Sequence, residues 1–452
     1  MKKQLLLFTA IISFIALISA GIDVSNLFNY SGQFVPNYIN KDNTAGNVIT
    51  DAGATLGRVL FYDKKLSLNS TIACASCHIQ AEGFSDPAIQ SIGLEGGVTG
   101  RHSMRLTNAR FSDEADFFWD ERAVSLEDQT TQPIKDHVEM GFSNEQGNPD
   151  IDSLFTRLEN IDYYNTLFTL VYGSTTVTEA RMQDALAQFV RSIQSFDSPY
   201  DVGLTAVNGN INANFPNFTV DQNAGKTLFM TPPGGPDGGA GCQPCHRAPE
   251  FDIAPNSQNN NIIGVAGDPN GIDLTNTRAP SLRSMFDEEG NQIGPFMHDG
   301  SLATIEDVIN HYNDIDWDPI ENPNLDNRLK GPGGQNANGQ NLNLTQLEKD
   351  QLFAFLQTLS GTAVYTAEEY SDPFEADGSL NIEGTSDVAE VKVIGRLNVS
   401  EIPTVNESNE VLVVQVDGTI SKTDNELRVS STNDTLFMGA KWIIVPGISG
   451  AN

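Results

Sequence analysis

Three patterns of apolar and polar positions follow one another along this chain. Behind Met1-Lys2-Lys3, residues Leu5–Ala20 are apolar except for Thr9, Ser13 and Ser19. A basic start, a short apolar stretch and a small residue at its end describe a secretory signal over residues 1–20, cut after Ala20. The run is at the short edge for crossing a bilayer, so no stable membrane span is expected in the mature form. From residue 21 to about 364 the pattern is helical. After about Tyr365 it becomes alternating, as in Val391/Val393, Leu397/Val399 and Val414/Val416, with a turn at Asp417-Gly418. That reads as a small β-rich tail over 365–452 with no cysteine, histidine or cluster that suggests chemistry.

The helical part repeats itself. Gly53-Ala54-Thr55-Leu56-Gly57-Arg58-Val59-Leu60-Phe61 reads as a short helix ending in an apolar pair. Asn223-Ala224-Gly225-Lys226-Thr227-Leu228-Phe229 carries the same G-x-x-L-F ending. Thr345-Gln346-Leu347-Glu348 is a capping-box pattern opening a helix to about Ser360, with Leu352, Phe353, Phe355, Leu356 and Leu359 as its apolar stripe. Such a closing helix is expected to pack against the one at Asn223–Phe229. Thr304-Ile305-Glu306-Asp307 reads as another helix start, placing Ile305, Val308, Ile309 and Tyr312 on one buried stripe. Ile151–Tyr172 and Glu179–Phe196 are amphipathic by period and read as a helical insertion in the first unit. The polar, Asn-rich stretch Asn208–Asn217 reads as a link. The expected fold is mainly α: a first unit over 21–207, a linker over 208–220, a second unit over 221–364, and the tail.

Composition narrows the partners. A net charge of −33 and a pI near 4.3 exclude nucleic acid and anionic membranes as natural partners. An acidic surface instead suits a small basic protein, or simply keeps an exported chain soluble.

The chemistry lies behind each repeated helix. Cys74-Ala75-Ser76-Cys77-His78 and Cys242-Gln243-Pro244-Cys245-His246 are both C-x-x-C-H, the pattern of covalent haem attachment, and together they use all four cysteines. Two thiols one tight turn apart add across the two vinyl groups of one porphyrin, and the following imidazole reaches the iron. A four-cysteine zinc site would need pairs about 15–20 residues apart, whereas these pairs are more than 160 residues apart. A thioredoxin-like pair explains neither the duplication nor the histidines. Two covalently bound haem c groups, in two cytochrome c-like domains, are therefore expected.

The stretch Gly100-Arg101-His102-Ser103-Met104-Arg105-Leu106-Thr107-Asn108-Ala109, followed by Phe117-Phe118-Trp119-Asp120-Glu121-Arg122, resembles the bacterial di-haem cytochrome c peroxidase family. So do Leu126-Glu127-Asp128-Gln129, Val138-Glu139-Met140-Gly141, Arg278-Ala279-Pro280-Ser281-Leu282-Arg283 and Gly294-Pro295-Phe296-Met297-His298-Asp299-Gly300. The likeness runs from Thr44 to Ser360. It implies an exported enzyme of the periplasm, cell surface or medium that reduces hydrogen peroxide with electrons from a small cytochrome or cupredoxin, and it allows a homodimer. In the family's MauG-type branch the oxidising equivalents come instead from a protein or organic substrate. A multi-haem electron carrier without turnover is the non-enzymatic alternative.

The resemblance implies Trp119 as the bridge between the haems, with Gln129 and Glu139 over the first haem on the face away from His78. Cleaving a peroxide needs a group that takes a proton from one oxygen and returns it to the leaving one, which a held carboxylate can do. Where many relatives carry a histidine loop that caps the first iron, this chain reads Ser91-Ile92-Gly93-Leu94-Glu95-Gly96-Gly97-Val98, so the first haem is expected to rest open. The family also carries one calcium ion between the haems. His102 stands at the position of a calcium-binding asparagine, leaving carbonyls near Ile293 and Pro295 as donors. His137 reads as a solvated histidine or a proton relay. For the iron bound by His246 the second ligand is expected to be Tyr312, with Met297 the alternative and His298 and His311 close by. The resemblance offers this position to methionine or, in the MauG-type branch, to tyrosine.

Overall fold

The computed structural model describes residues 24–234, 238–331, 338–376 and 379–384, together with the backbone of three short strands beyond them. The expected signal over 1–20 and most of the expected tail lie outside the described residues. The described structure is mostly helical with little strand.

Helix α1 (Asp51–Tyr62) starts at Thr50, whose hydroxyl accepts from Gly53 N at 3.0 Å. Between α1 and the second haem motif come α2 (Leu126–Lys135), α3 (Ile151–Glu159), α4 (Asp162–Tyr172), α5 (Glu179–Ser192), α6 (Pro199–Ala206) and α7 (Val220–Met230). Strands β1 (His246–Arg247) and β2 (Asp252–Ile253) pair antiparallel, and α8 (Ile305–Asn313) and α9 (Gln346–Gln357) complete the helices. Both α8 and α9 begin in capping boxes, Thr304 with Asp307 and Thr345 with Glu348.

The repeated G-x-x-L-F ending has a steric meaning. A Cβ on Gly57 would collide with the carbonyl of Ala185 in α5, and one on Gly225 with the carbonyl of Gln351 in α9. Each glycine thus lets its helix cross a second one at backbone contact. The phenylalanine that ends each motif is buried against that partner: Phe61 lies 5.2 Å from Phe189, and Phe229 lies 5.3 Å from Phe355, centroid to centroid. So α1/α5 and α7/α9 are equivalent pairs. The segment read as part of an insertion, Glu179–Phe196, is instead the first unit's closing helix, and it stops at Ser192.

Three other expectations need correcting. Ile151–Tyr172 is two helices, because Asn160 ends α3 by bonding Thr156 O at 2.6 Å and Asp162 opens α4. The second core begins before residue 221: Tyr200 and Leu204 of α6 and Phe215 and Phe218 of the supposed link are buried in it. Residues 363–376 and 379–384 belong to the first core rather than to a separate tail, since Val364, Tyr365, Tyr370 and Ile382 are buried there. Arg58 of α1 reaches Ser371 O at 2.7 Å, and Tyr30 donates to Glu369 O at 2.6 Å. Beyond residue 384, β3 (Val391–Lys392), β4 (Val411–Val414) and β5 (Thr419–Thr423) form an antiparallel sheet in the order β3-β5-β4.

Candidate active site

Each C-x-x-C-H segment folds into the same turn. The carbonyl of its first cysteine accepts from the second cysteine and from the histidine: 3.1 and 3.0 Å at Cys74, 3.1 and 2.9 Å at Cys242. This places both sulfurs and the imidazole on one cavity wall. Cys74, Cys77 and His78 line a cavity of about 500 Å³, and Cys242, Cys245 and His246 line a narrower one of about 170 Å³. No disulfide joins any of the four cysteines.

The histidines suit iron. His78 Nδ1 lies 3.0 Å from Phe84 O, which fixes the ring and leaves Nε2 for a metal. His246 Nδ1 is buried without a partner, and burial, aided by Arg328, lowers its pKa to about 4. Both rings are thus neutral imidazoles near pH 7, the form that ligates metals. Paired thiols, a neutral imidazole and a cavity before each set fit one covalently attached porphyrin apiece.

Gln129, on α2, and Glu139, in the turn after it, line the first cavity with His78. Asp136 Oδ1 accepts from the backbone N–H groups of Val138 (2.8 Å) and Glu139 (3.0 Å), pinning that turn. From the other side, Leu94 N is shared between Val138 O (2.7 Å) and Glu139 O (3.0 Å). A Cβ on Gly93 would strike the Val138 carbonyl. The Ser91–Val98 loop, notable in the sequence for lacking a histidine, therefore holds Glu139 in place. Burial, reinforced by Asp136 and offset by Arg122, pushes the Glu139 carboxyl up to about 7. His137 has its Nδ1 3.0 Å from Ser143 Oγ.

Trp119 lines both cavities. Its indole donates to His102 O at 2.8 Å, and His102 N donates in turn to His298 O at 2.7 Å. Trp119 O accepts from Thr277 (2.9 Å) and Arg278 (3.1 Å), tying the indole-bearing loop to the second unit.

Tyr312 and Met297 both line the second cavity and meet at one amide. Asn260 Nδ2 lies 3.0 Å from the Tyr312 hydroxyl and 3.3 Å from Met297 Sδ. The other two candidates are engaged elsewhere, His298 Nε2 with Gly264 O and His311 Nε2 with Asn260 O, each at 2.9 Å. Asn260 escaped the sequence reading because a polar loop residue carries no periodic signal. His102 is buried, with Nδ1 3.0 Å from Ala88 O, and Ile293 O accepts from Arg105 at 2.9 Å. Among the described residues no three His, Cys, Asp or Glu side chains converge as a metal cage.

The chain is similar to several known proteins. The family model for di-haem cytochrome c peroxidase matches residues 51–208. The methylamine utilization protein MauG of Methylorubrum extorquens is 30% identical over 321 residues, covering 69% of this chain and 79% of that protein. The cytochrome c551 peroxidase of Nitrosomonas europaea is 28% identical over 268 residues, 57% of this chain and 71% of that one. A crystal structure of a MauG-like protein associated with microbial copper homeostasis superposes with a TM-score of 0.60 at 26% identity, covering 77% of this chain and all of that one. This chain belongs to the di-haem cytochrome c peroxidase family, oxidoreductases built around two c-type haems.

Proposed function

We propose that this protein is an exported di-haem peroxidase of two cytochrome c-like units, reducing hydrogen peroxide in the first cavity with electrons received at the second from a small cytochrome or cupredoxin. The observation that carries this reading is Glu139: a half-buried glutamate whose carboxyl is pushed up to about 7, in the same cavity as His78 and Gln129. Bound haem supplies the iron that takes the peroxide and the electrons that cleave it. Glu139 takes the proton from the oxygen that enters first and returns it to the departing one. Gln129 orients the peroxide through its amide. Trp119, in the wall common to both cavities, carries electrons between them.

The different linings of the cavities support different coordination. The first carries Gln129 and Glu139, while the second is walled by Tyr312 and Met297. The oxidised protein is expected to show one high-spin and one low-spin haem; two low-spin haems would remove the open peroxide site. Tyr312→Phe should change the spectrum and potential of the low-spin haem. If neither moves, Met297 or a histidine holds that iron.

Tyr312 also favours the second reading, a MauG-type oxidase acting on a protein or organic substrate. A phenolate ligand stabilises oxidised iron, whereas methionine raises the potential and suits accepting electrons from a cytochrome.

A further inference from the structure

Arg105 is buried and lines both cavities. A guanidinium carries five N–H donors and stays charged, and burying it without an anion costs several kcal/mol, roughly. The chain shows elsewhere how it meets that cost: Arg283, more deeply enclosed still, forms a two-pronged ion pair with Asp201. Arg278, the other buried arginine common to both cavities, rests on the Phe117 ring at 4.4 Å and bonds Asp116 O at 2.6 Å. Arg105 has far less. Its Nε is buried without a partner, as are those of Arg278 and Arg283, but among the described residues Arg105 has no carboxylate such as Asp201 beside it and a single hydrogen bond, from one Nη to Ile293 O at 2.9 Å. A buried, under-satisfied cation in a wall shared by two cofactor cavities calls for an anion from a cofactor, and each porphyrin brings two carboxylates.

We propose that Arg105 is the inter-haem cation of this protein, pairing with haem carboxylate where the two cavities meet and standing in place of a calcium ion. The calcium donors left by the sequence are carbonyls near Ile293 and Pro295. His102 replaces the asparagine and its Nδ1 lies 3.0 Å from Ala88 O, while Ile293 O accepts from Arg105, a cation that would repel a calcium ion seated on the same oxygen. The guanidinium is therefore positioned as a fixed electrostatic element: it holds the haem carboxylates and makes the ferrous state of the adjacent iron easier to reach. It is a positioning residue and transfers no proton or electron.

This rests on the two-haem reading, and the test separates the two. Haem content by mass, redox titration of both haems and metal analysis are compared for wild type, Arg105→Met and Arg105→Lys. A wild type with fewer than two haems refutes the two-haem reading rather than Arg105. A unit charge about 10 Å from an iron, at an effective dielectric constant near 20, is worth roughly tenfold in the reduction equilibrium. Arg105→Met, with two haems retained, should thus shift at least one haem toward the ferric state about tenfold, or ~59 mV for one electron. Arg105→Lys keeps the charge and should stay near wild type; it decides the matter if the methionine variant does not retain its haems. Wild type should carry no stoichiometric calcium, and EGTA should leave both potentials unchanged. The proposal is overturned by unchanged potentials in a two-haem Arg105→Met, by a tenfold loss in a two-haem Arg105→Lys, or by stoichiometric calcium whose removal lowers the potentials.

Discussion

Glu139→Gln is expected to keep both haems and the fold while slowing the reaction with peroxide by about 10²-fold or more, the usual scale for losing a general acid–base group. Glutamine preserves shape and hydrogen-bonding reach, so a loss of this size reports proton transfer. The pH profile provides a second readout. Burial raises the carboxyl to about 7, so below that pH it is protonated and cannot accept the proton of the incoming peroxide. The wild-type rate constant should therefore rise about tenfold per pH unit through the acid range and level off above 7. In Glu139→Gln that slope should vanish. Near-normal turnover in the variant, or a wild-type profile flat between pH 5 and 8, would remove Glu139 from the mechanism.

The largest expected effect on stability is at Arg283. Its side chain is 0% exposed and that of its partner Asp201 is 2% exposed. The guanidinium donates to both Asp201 oxygens, at 2.9 and 3.0 Å, and to Pro249 O at 2.9 Å. Asp201 also accepts from Tyr38 at 2.8 Å and from Ser198 Oγ at 2.6 Å. This one ion pair ties α6 to the loop behind the second C-x-x-C-H turn. Removing either partner leaves a buried charge unpaired, so Asp201→Ala or Arg283→Met should each cost about 3–5 kcal/mol. In urea unfolding the midpoint should fall in both variants. The double variant should lose clearly less than the sum of the two, because no lone buried charge remains. Strict additivity would mean that the two groups act separately.

The parts of this molecule that could be read from its sequence are those set by near neighbours. The capping boxes at Thr304 and Thr345, the helices at Gly57 and Gly225 and the two C-x-x-C-H turns each depend on residues three to five apart. The joint spacing of Trp119, Gln129 and Glu139 was also legible, and all three line the first cavity. What stayed hidden depends on distant partners. The role of α5 as a closing helix rests on the crossing at Gly57, and nothing in its own amphipathic period says what its apolar face meets. Phe215 and Phe218 sit in a polar, Asn-rich stretch and look like part of a link until α6 is seen packed beside them. Residues 363–376 return to α1 through Arg58 and Ser371, a contact across most of the chain. At the site, the loop that lacks a histidine supplies Glu139 with its support. The amide of Asn260 brings Tyr312 and Met297 together from separate segments.

The central claim is that peroxide is reduced in the first cavity with electrons delivered from outside. It is tested most directly by steady-state turnover of the two-haem protein with hydrogen peroxide and a reduced small cytochrome c. The account predicts that two cytochromes are oxidised for each peroxide consumed, and that the rate collapses in Glu139→Gln. Peroxide consumed without cytochrome oxidation, but with oxidation of an added protein or organic substrate, would contradict it in favour of the MauG-type reading. No consumption at all would leave an electron carrier.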